Sequence, residues 1–235
     1  MVVTRRIVLA SVVGLAVFVG QGTWSALAQG QPPAQTPGQA PPPGGRGGPP
    51  PDPTKPHKLE ITQGTKARYK VTEQLAGISF PSDAVGTTEA ITGAIIVNPD
   101  GSIASGSKLT VDLRTLTSDQ SMRDGYVQNR TLETTKFPML ELVPKRVVGL
   151  ASPLPSGNQA QAGFQLIADV TLHGVTKETT WNVVATFGNA AVAGRATTTV
   201  DFATFGMTKP TLARLVSVED KIQLEIEFRC TRTVM

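Results

Sequence analysis

Apolar and polar residues alternate without a break from Lys221 to Cys230 (KIQLEIEFRC). Lys221, Gln223, Glu225, Glu227 and Arg229 fall on one side of a period-two ribbon, and Ile222, Leu224, Ile226, Phe228 and Cys230 on the other. That period predicts a strand with one wet face and one dry face. Residues 67–75 repeat it, with Glu73 a carboxylate out of place beside Tyr69, Val71 and Leu75. Further strands are expected over 87–97, 108–113, 138–148, 163–173, 177–187 and 193–202. Asn98-Pro99-Asp100-Gly101 ends the second, and Gly174-Val175-Thr176 turns the fifth into the sixth as a hairpin. Eight strands with short turns make an all-β domain, an antiparallel barrel or sandwich whose dry faces share one interior.

Two segments leave this period. Residues 119–132 carry Met122, Tyr126, Val127 and Arg130 at helical spacing, behind Thr117-Ser118 as N-cap chemistry and weakened by Gly125. They predict a short helix between strands three and four, lying over one mouth of a barrel. Residues 202–215 are rich in apolar side chains with no clean period, broken by Pro210. They read as an irregular loop lining an opening.

The chain begins with Arg5 and Arg6, an apolar run of about 13 residues from Ile7 to Val19, and Ala26-Leu27-Ala28. This is the layout of a signal peptide (1–28) cleaved near Ala28. The run is short of the roughly 20 residues that span a bilayer, a retained anchor being the alternative. The expected location is the periplasm or outside the cell. Thr4-Arg5-Arg6-Ile7-Val8-Leu9 resembles a twin-arginine motif without its usual Phe, and a general secretory leader fits equally. Residues 29–56 are almost wholly Pro, Gly, Gln and Ala, a composition that cannot bury a core and reads as a disordered tether. Residues 57–235 then form one domain.

Charge and chemistry narrow the function. The formal charge of +4 falls to +2 once Arg5 and Arg6 leave with the leader. The basic residues are scattered among acids, which argues against nucleic acid. Cys230 is the only cysteine and shares the dry face of its strand, so it reads as a buried small hydrophobe. Only two histidines exist, His57 beside the tether and His173 at a turn. No ligand set for zinc, nucleophile elbow, P-loop or dinucleotide fingerprint accompanies them. The expectation is a protein without catalytic or metal-binding residues. A closed eight-stranded barrel can hold one small apolar ligand, and walls of medium and small residues leave room for it. A packed sandwich without a cavity fits the periodicity equally.

The run Ala168-Asp169-Val170-Thr171-Leu172-His173-Gly174-Val175-Thr176-Lys177 resembles the D-L-T-L-H-G-V-T-K hairpin of the YceI-like family. Residues 67–77, Ile91-Thr92-Gly93, Met122-Arg123-Asp124, Lys136-Phe137-Pro138 and the Phe202…Phe205-Gly206-Met207 run match further family features in order. Two departures stand near the mouth. Tyr126-Val127 and Leu132-Glu133 replace the family's His-Leu and Phe-Asp, and residues 81–84 look like a longer loop.

The resemblance implies a lipocalin-like barrel that takes an amphipathic isoprenoid, a quinone or polyprenyl lipid, and no cofactor otherwise. It implies transient membrane contact at most and leaves the oligomeric state open. On that reading Tyr69, Val71, Leu75, Phe164, Leu166, Trp181, Val183, Phe202 and Phe205 are candidate wall residues. Ile222, Leu224, Ile226 and Phe228 join them from the last strand. Arg123 and Asp124 are placed at the head group, with pairing to each other or capping of the helix as the alternative, and Tyr126 is a further ligand candidate. A tethered envelope module that binds protein or polysaccharide on its outer surface is the alternative function.

Overall fold

The computed structural model describes residues 49–157, 160–211 and 215–235, so the expected leader and most of the tether lie outside the described residues. Ten strands follow in chain order: β1 (His57–Ile61), β2 (Lys66–Leu75), β3 (Ser82–Thr88), β4 (Ile91–Val97), β5 (Lys108–Asp112), β6 (Met139–Val148), β7 (Ala160–Leu172), β8 (Val175–Phe187), β9 (Ala191–Asp201) and β10 (Leu215–Val234). Helix α1 (Ser121–Tyr126) lies between β5 and β6. Neighbours pair in the order β1-β4-β5-β6-β7-β8-β9-β10, and β10 pairs again with β1. The ring is closed, eight strands round and antiparallel throughout.

The ten strands reduce to the eight expected because two staves are interrupted. β1 and β2 run in succession along one edge of β10, His57 opposite Val234 and Leu75 opposite Leu215. In the gap, Thr62 N–H donates to Arg229 O at 2.8 Å and Thr65 completes the link: Arg229 N–H donates to Thr65 Oγ1 at 2.9 Å, and that hydroxyl donates to Arg229 O at 3.1 Å. β3 and β4 likewise follow one another along β2 and β1. Gly93 sits on β4 at φ +120°, where a Cβ would lie 2.1 Å from the carbonyl oxygen of Lys108. Only glycine lets β4 and β5 approach this closely.

The structure corrects several boundaries. His57, where the domain was expected to begin, opens β1 and is buried. Ser82–Ala84, expected to be loop, pair with Glu73–Val71 of β2. β10 starts at Leu215, six residues before the clean alternation, because an irregular register between Val218 and Ile222 breaks the period there. The hairpin turn is the pair His173-Gly174, at φ +52° and +75°, with Leu172 opposite Val175. Two positive φ values make a primed two-residue turn, whose twist matches that of the strands.

The predicted helix is present but short. α1 takes only Ser121–Tyr126 and passes into one wide π-turn over Val127–Thr131. Gln120, not Ser118, holds the N-cap position. Ser118 instead binds Asp124 Oδ1 through its backbone N–H (2.8 Å) and its hydroxyl (2.7 Å), tying the start of the helix down.

Candidate ligand-binding interior

The alternation of each strand sends one set of side chains to the barrel axis, and there they form a single apolar core. The core leaves three cavities that share walls. The far cavity, about 80 Å³, is bounded by Leu59, Val97, Phe164, Leu166, Val183, Phe187, Phe228 and Cys230 among others. The mouth cavity, about 90 Å³, lies toward the α1 end among Val71, Val127, Thr131, Leu132, Phe202, Met207 and Ile222. A middle cavity of about 50 Å³ shares Trp181 and Ile226 with the far one, and Tyr69, Leu113, Leu116, Leu140 and Leu224 with the mouth one. Trp181 is 1% exposed and satisfies its indole by donating to Thr179 Oγ1 at 2.9 Å.

Tyr69 reaches inward from β2 because its partner across the sheet is Gly86. A Cβ on Gly86 would come within 2.1 Å of the ring, so the tyrosine lies flat over the glycine. Burial pushes its phenol up to about 12, and the Arg123 charge nearby only partly offsets this. At neutral pH it is an uncharged hydroxyl.

Charged groups gather above the mouth cavity. Arg123 Nη2 of α1 donates to Glu73 Oε1 of β2 at 2.6 Å, with side chains 12% and 10% exposed. Its Nη1 reaches Asp119. Burial works against the Arg123 charge, but the hydrogen bonds to Asp119 and Glu73 outweigh it and hold the guanidinium protonated. The Glu73 that breaks the apolar face of β2 is therefore the anchor for the helix.

A second clamp holds the same end. His173 Nε2 lies 2.9 Å from Glu133 Oε2, and Nδ1 lies 3.2 Å from the carbonyl oxygen of Phe205. Its ring meets Phe137 edge-on at 4.8 Å. Both His173 and Glu133 hold positive φ, +52° and +45°, conformations costly for non-glycine residues and kept only where packing enforces them. Hydrogen bonds to Lys136, then to His173, draw the Glu133 carboxyl below its ordinary range.

The opposite end is closed by a buried cation. Arg232, 5% exposed, donates to His57 Nδ1 at 2.8 Å and to the carbonyl oxygens of Pro155 and Gly188 at 2.6 and 3.3 Å. His57 Nε2 faces the carbonyl oxygen of Asp52 at 2.8 Å, which puts the imidazole proton on Nε2. Burial alone lowers the Arg232 pKa from its ordinary value.

Most of the expected wall residues do line these cavities. Tyr69, Val71, Phe202, Ile222 and Leu224 border the mouth cavity, and Phe164, Leu166, Trp181, Val183, Ile226 and Phe228 the far one. Leu75, Phe205, Arg123 and Tyr126 line none of the three. Leu75 is half-buried at the rim, and Phe205 is fully buried beside His173. The Tyr126 hydroxyl accepts from Thr211 N–H at 3.3 Å. Sequence reasoning missed Thr131, Leu116, Leu132 and Leu140, which come from turns and a strand end where no period marks the inward face. Among the described residues, no group of three or more His, Cys, Asp or Glu could hold a metal ion, and no helix is long and apolar enough to cross a membrane.

The family model of the YceI-like domain matches residues 61–230. No curated protein sequence matches the chain. Among solved structures, a polyisoprenoid binding domain from Saccharophagus degradans superposes with a TM-score of 0.58 at 12% identity, over 75% of this chain and 98% of that one. BcnA of Burkholderia cenocepacia gives 0.53 at 15% identity, over 70% and 95%. The YceI protein of Campylobacter jejuni gives 0.51 at 14% identity, over 67% and 90%. At these identities the structures establish a common fold. The matched segment takes in nearly every strand of the ring, and by it the chain belongs to the YceI-like family.

Proposed function

We propose that this chain is an exported carrier that holds a long isoprenoid lipid, of quinone or polyprenyl type, along its barrel axis. The observation behind this reading is the row of three apolar cavities with shared walls, running from the mouth beneath α1 to the far end. A branched hydrocarbon tail fits such a row, and each Å² of apolar surface it hides contributes about 25 cal/mol without any catalytic group. The family supports the reading, as does the polyisoprenoid-binding domain with the same fold. The leader at 1–28 supports delivery to the periplasm or beyond.

The cavities are narrow, so a tail enters by parting the side chains between them, Trp181 and Leu224 first. That narrowness favours a second reading, a tethered envelope module that uses its outer surface and keeps its interior closed. Native mass spectrometry on protein purified from its host distinguishes the two. A carrier shows an added lipid mass or takes one up from ubiquinone-loaded micelles; a lasting apo mass sinks it.

A further inference from the structure

Among the described residues, the three most exposed large apolar side chains stand at one end of the barrel. Met122 is 81% exposed, Phe80 78% and Val216 66%, and Ile78 joins them at 54%. Three separate segments bring them to the α1 end. Leu75, which ends β2, faces Leu215, and Ser82, which opens β3, faces Glu73. Ile78 and Phe80 lie in the connection between those strands, so they share one rim with Val216. Met122 reaches the same rim through its neighbour Arg123, which is bonded to Glu73. The connection is pinned from within, as Ile78 N–H donates to Leu75 O at 3.2 Å and Gln74 Nε2 donates to Ile78 O. Exposed apolar residues on the outer sheet are different. Val85, Val143 and Val184 stand singly, opposite Lys70, Asp169 and Arg195. Isolated valines of that kind are ordinary, whereas a cluster of large apolar side chains marks a contact surface.

We propose that this end of the barrel docks on a lipid bilayer, with Phe80, Met122, Ile78 and Val216 set among its acyl chains and the mouth cavity facing the membrane. This rests on the reading that the barrel interior holds an isoprenoid, and it names the surface from which that lipid comes. A side chain four-fifths exposed stands clear of its own protein, and these four sit on separate supports rather than along a groove. Such tips suit a fluid surface, which closes around each of them, better than the fixed shape of a folded partner. The mouth cavity lies just behind, walled by Val71 of β2 and by Val127, the residue after α1. A tail that passes straight from acyl chains into it never shows its apolar surface to water. Charge does not supply the attraction. Lys209 is matched by Asp220 at 2.6 Å and Lys136 by Glu133 at 2.6 Å, so the rim has no basic excess to seek anionic lipid. The described end of the tether is bound at the other end of the barrel, Asp52 O by His57 and Pro56 O by Met235, which leaves the mouth clear.

The test mixes protein purified from its host with vesicles of phosphatidylcholine, with and without phosphatidylglycerol, and reads binding by flotation. Wild type should float with both, within about threefold of each other, and should still do so at raised salt. Phe80→Ser and Met122→Ser should each weaken binding by about tenfold, and the triple variant with Val216→Ser should abolish it. Val143→Thr and Val184→Thr, on the outer sheet, should bind as wild type does. All these side chains are exposed, so each variant should melt within about 3 °C of wild type, which keeps loss of fold out of the result. Undiminished flotation of the triple variant overturns the proposal, as does binding that requires phosphatidylglycerol. A dimer that the triple variant breaks, without flotation, gives the face to a second copy and overturns it too. Quinone uptake, read by native mass spectrometry, separates the two readings. If wild type takes ubiquinone from micelles yet never floats, docking alone fails. If it floats but takes ubiquinone from neither micelles nor vesicles, the carrier reading fails and the docking face stands.

Discussion

Glu73 of β2 and Arg123 of α1 form an ion pair at 2.6 Å with both side chains about nine-tenths buried. Removing one partner leaves the other charged and largely shielded from water. Arg123→Met or Glu73→Leu should each cost about 3 kcal/mol, whereas the double variant should recover much of that loss. Urea denaturation of the two single variants and the double measures the coupling. Hydrogen exchange should show the α1 amides opening faster in either single variant, because Arg123 links the helix to the barrel wall.

Arg232 poses the opposite case, a buried cation held by neutral acceptors. Arg232→Met strands the carbonyls of Pro155 and Gly188 and the Nδ1 of His57. The expected loss is about 3 kcal/mol by chemical denaturation. A loss below about 1 kcal/mol would mean that water satisfies these groups.

Gly93→Ala tests the contact between β4 and β5. The new methyl would meet a backbone oxygen, which cannot swing aside as a flexible side chain would, and φ of +120° adds strain. A loss of more than about 2 kcal/mol is expected. Thermal melting by circular dichroism measures it, and a near-wild-type melting point contradicts the geometry.

High pH should weaken the fold through two buried groups of the barrel interior. Burial holds the Cys230 thiol up at about 12 against an ordinary 9.0, and the Tyr69 phenol at about 12 against 10.0. In each case the protonated form is favoured by folding. The contribution is complete below the unfolded value and is lost as pH rises, here between about 9 and 12. Cys230→Ala should flatten the first part of that decline in denaturation titrations. At pH 8 the native thiol should resist iodoacetamide and react only after unfolding.

The ring of strands was legible because alternation is a direct record of which face is dry. Where burial is one-sided, as at Ile222, Ile226 and Cys230, the record is clean. It failed at the interruptions. Residues 62–65 and 89–90 hide the continuity of the first two staves: Thr62 N–H and the Thr65 hydroxyl bind Arg229 at the first, Ala90 O accepts from Asp112 N–H at the second, and no period signals either. Ser82–Ala84 look like loop because two of the three are polar and exposed: Asp83 meets water on the outer face beside Lys70, and Ser82 is the strand's first residue. Glu73 was visible as an anomaly, but its partner is 50 residues away, and only the fold brings them together. Thr131 carried no signal at all: a lone threonine in a polar segment becomes unusual only once the fold buries its hydroxyl without a partner among the described residues.

β10 runs for 20 residues and holds three neighbours, β9 along one edge and β2 then β1 along the other. The first strand of the ring is thus sealed by the last, with His57 and Arg232 meeting across 175 positions of chain. Closure is therefore the most non-local event of folding, and barrels dominated by such pairings fold in milliseconds to seconds. Until it happens, β1 presents a bare edge, a template for a neighbouring chain. The few residues from Cys230 to Val234 are a time lock on assembly. A chain cut before them retains most of the wall, yet loses the seam that keeps it from joining its neighbours.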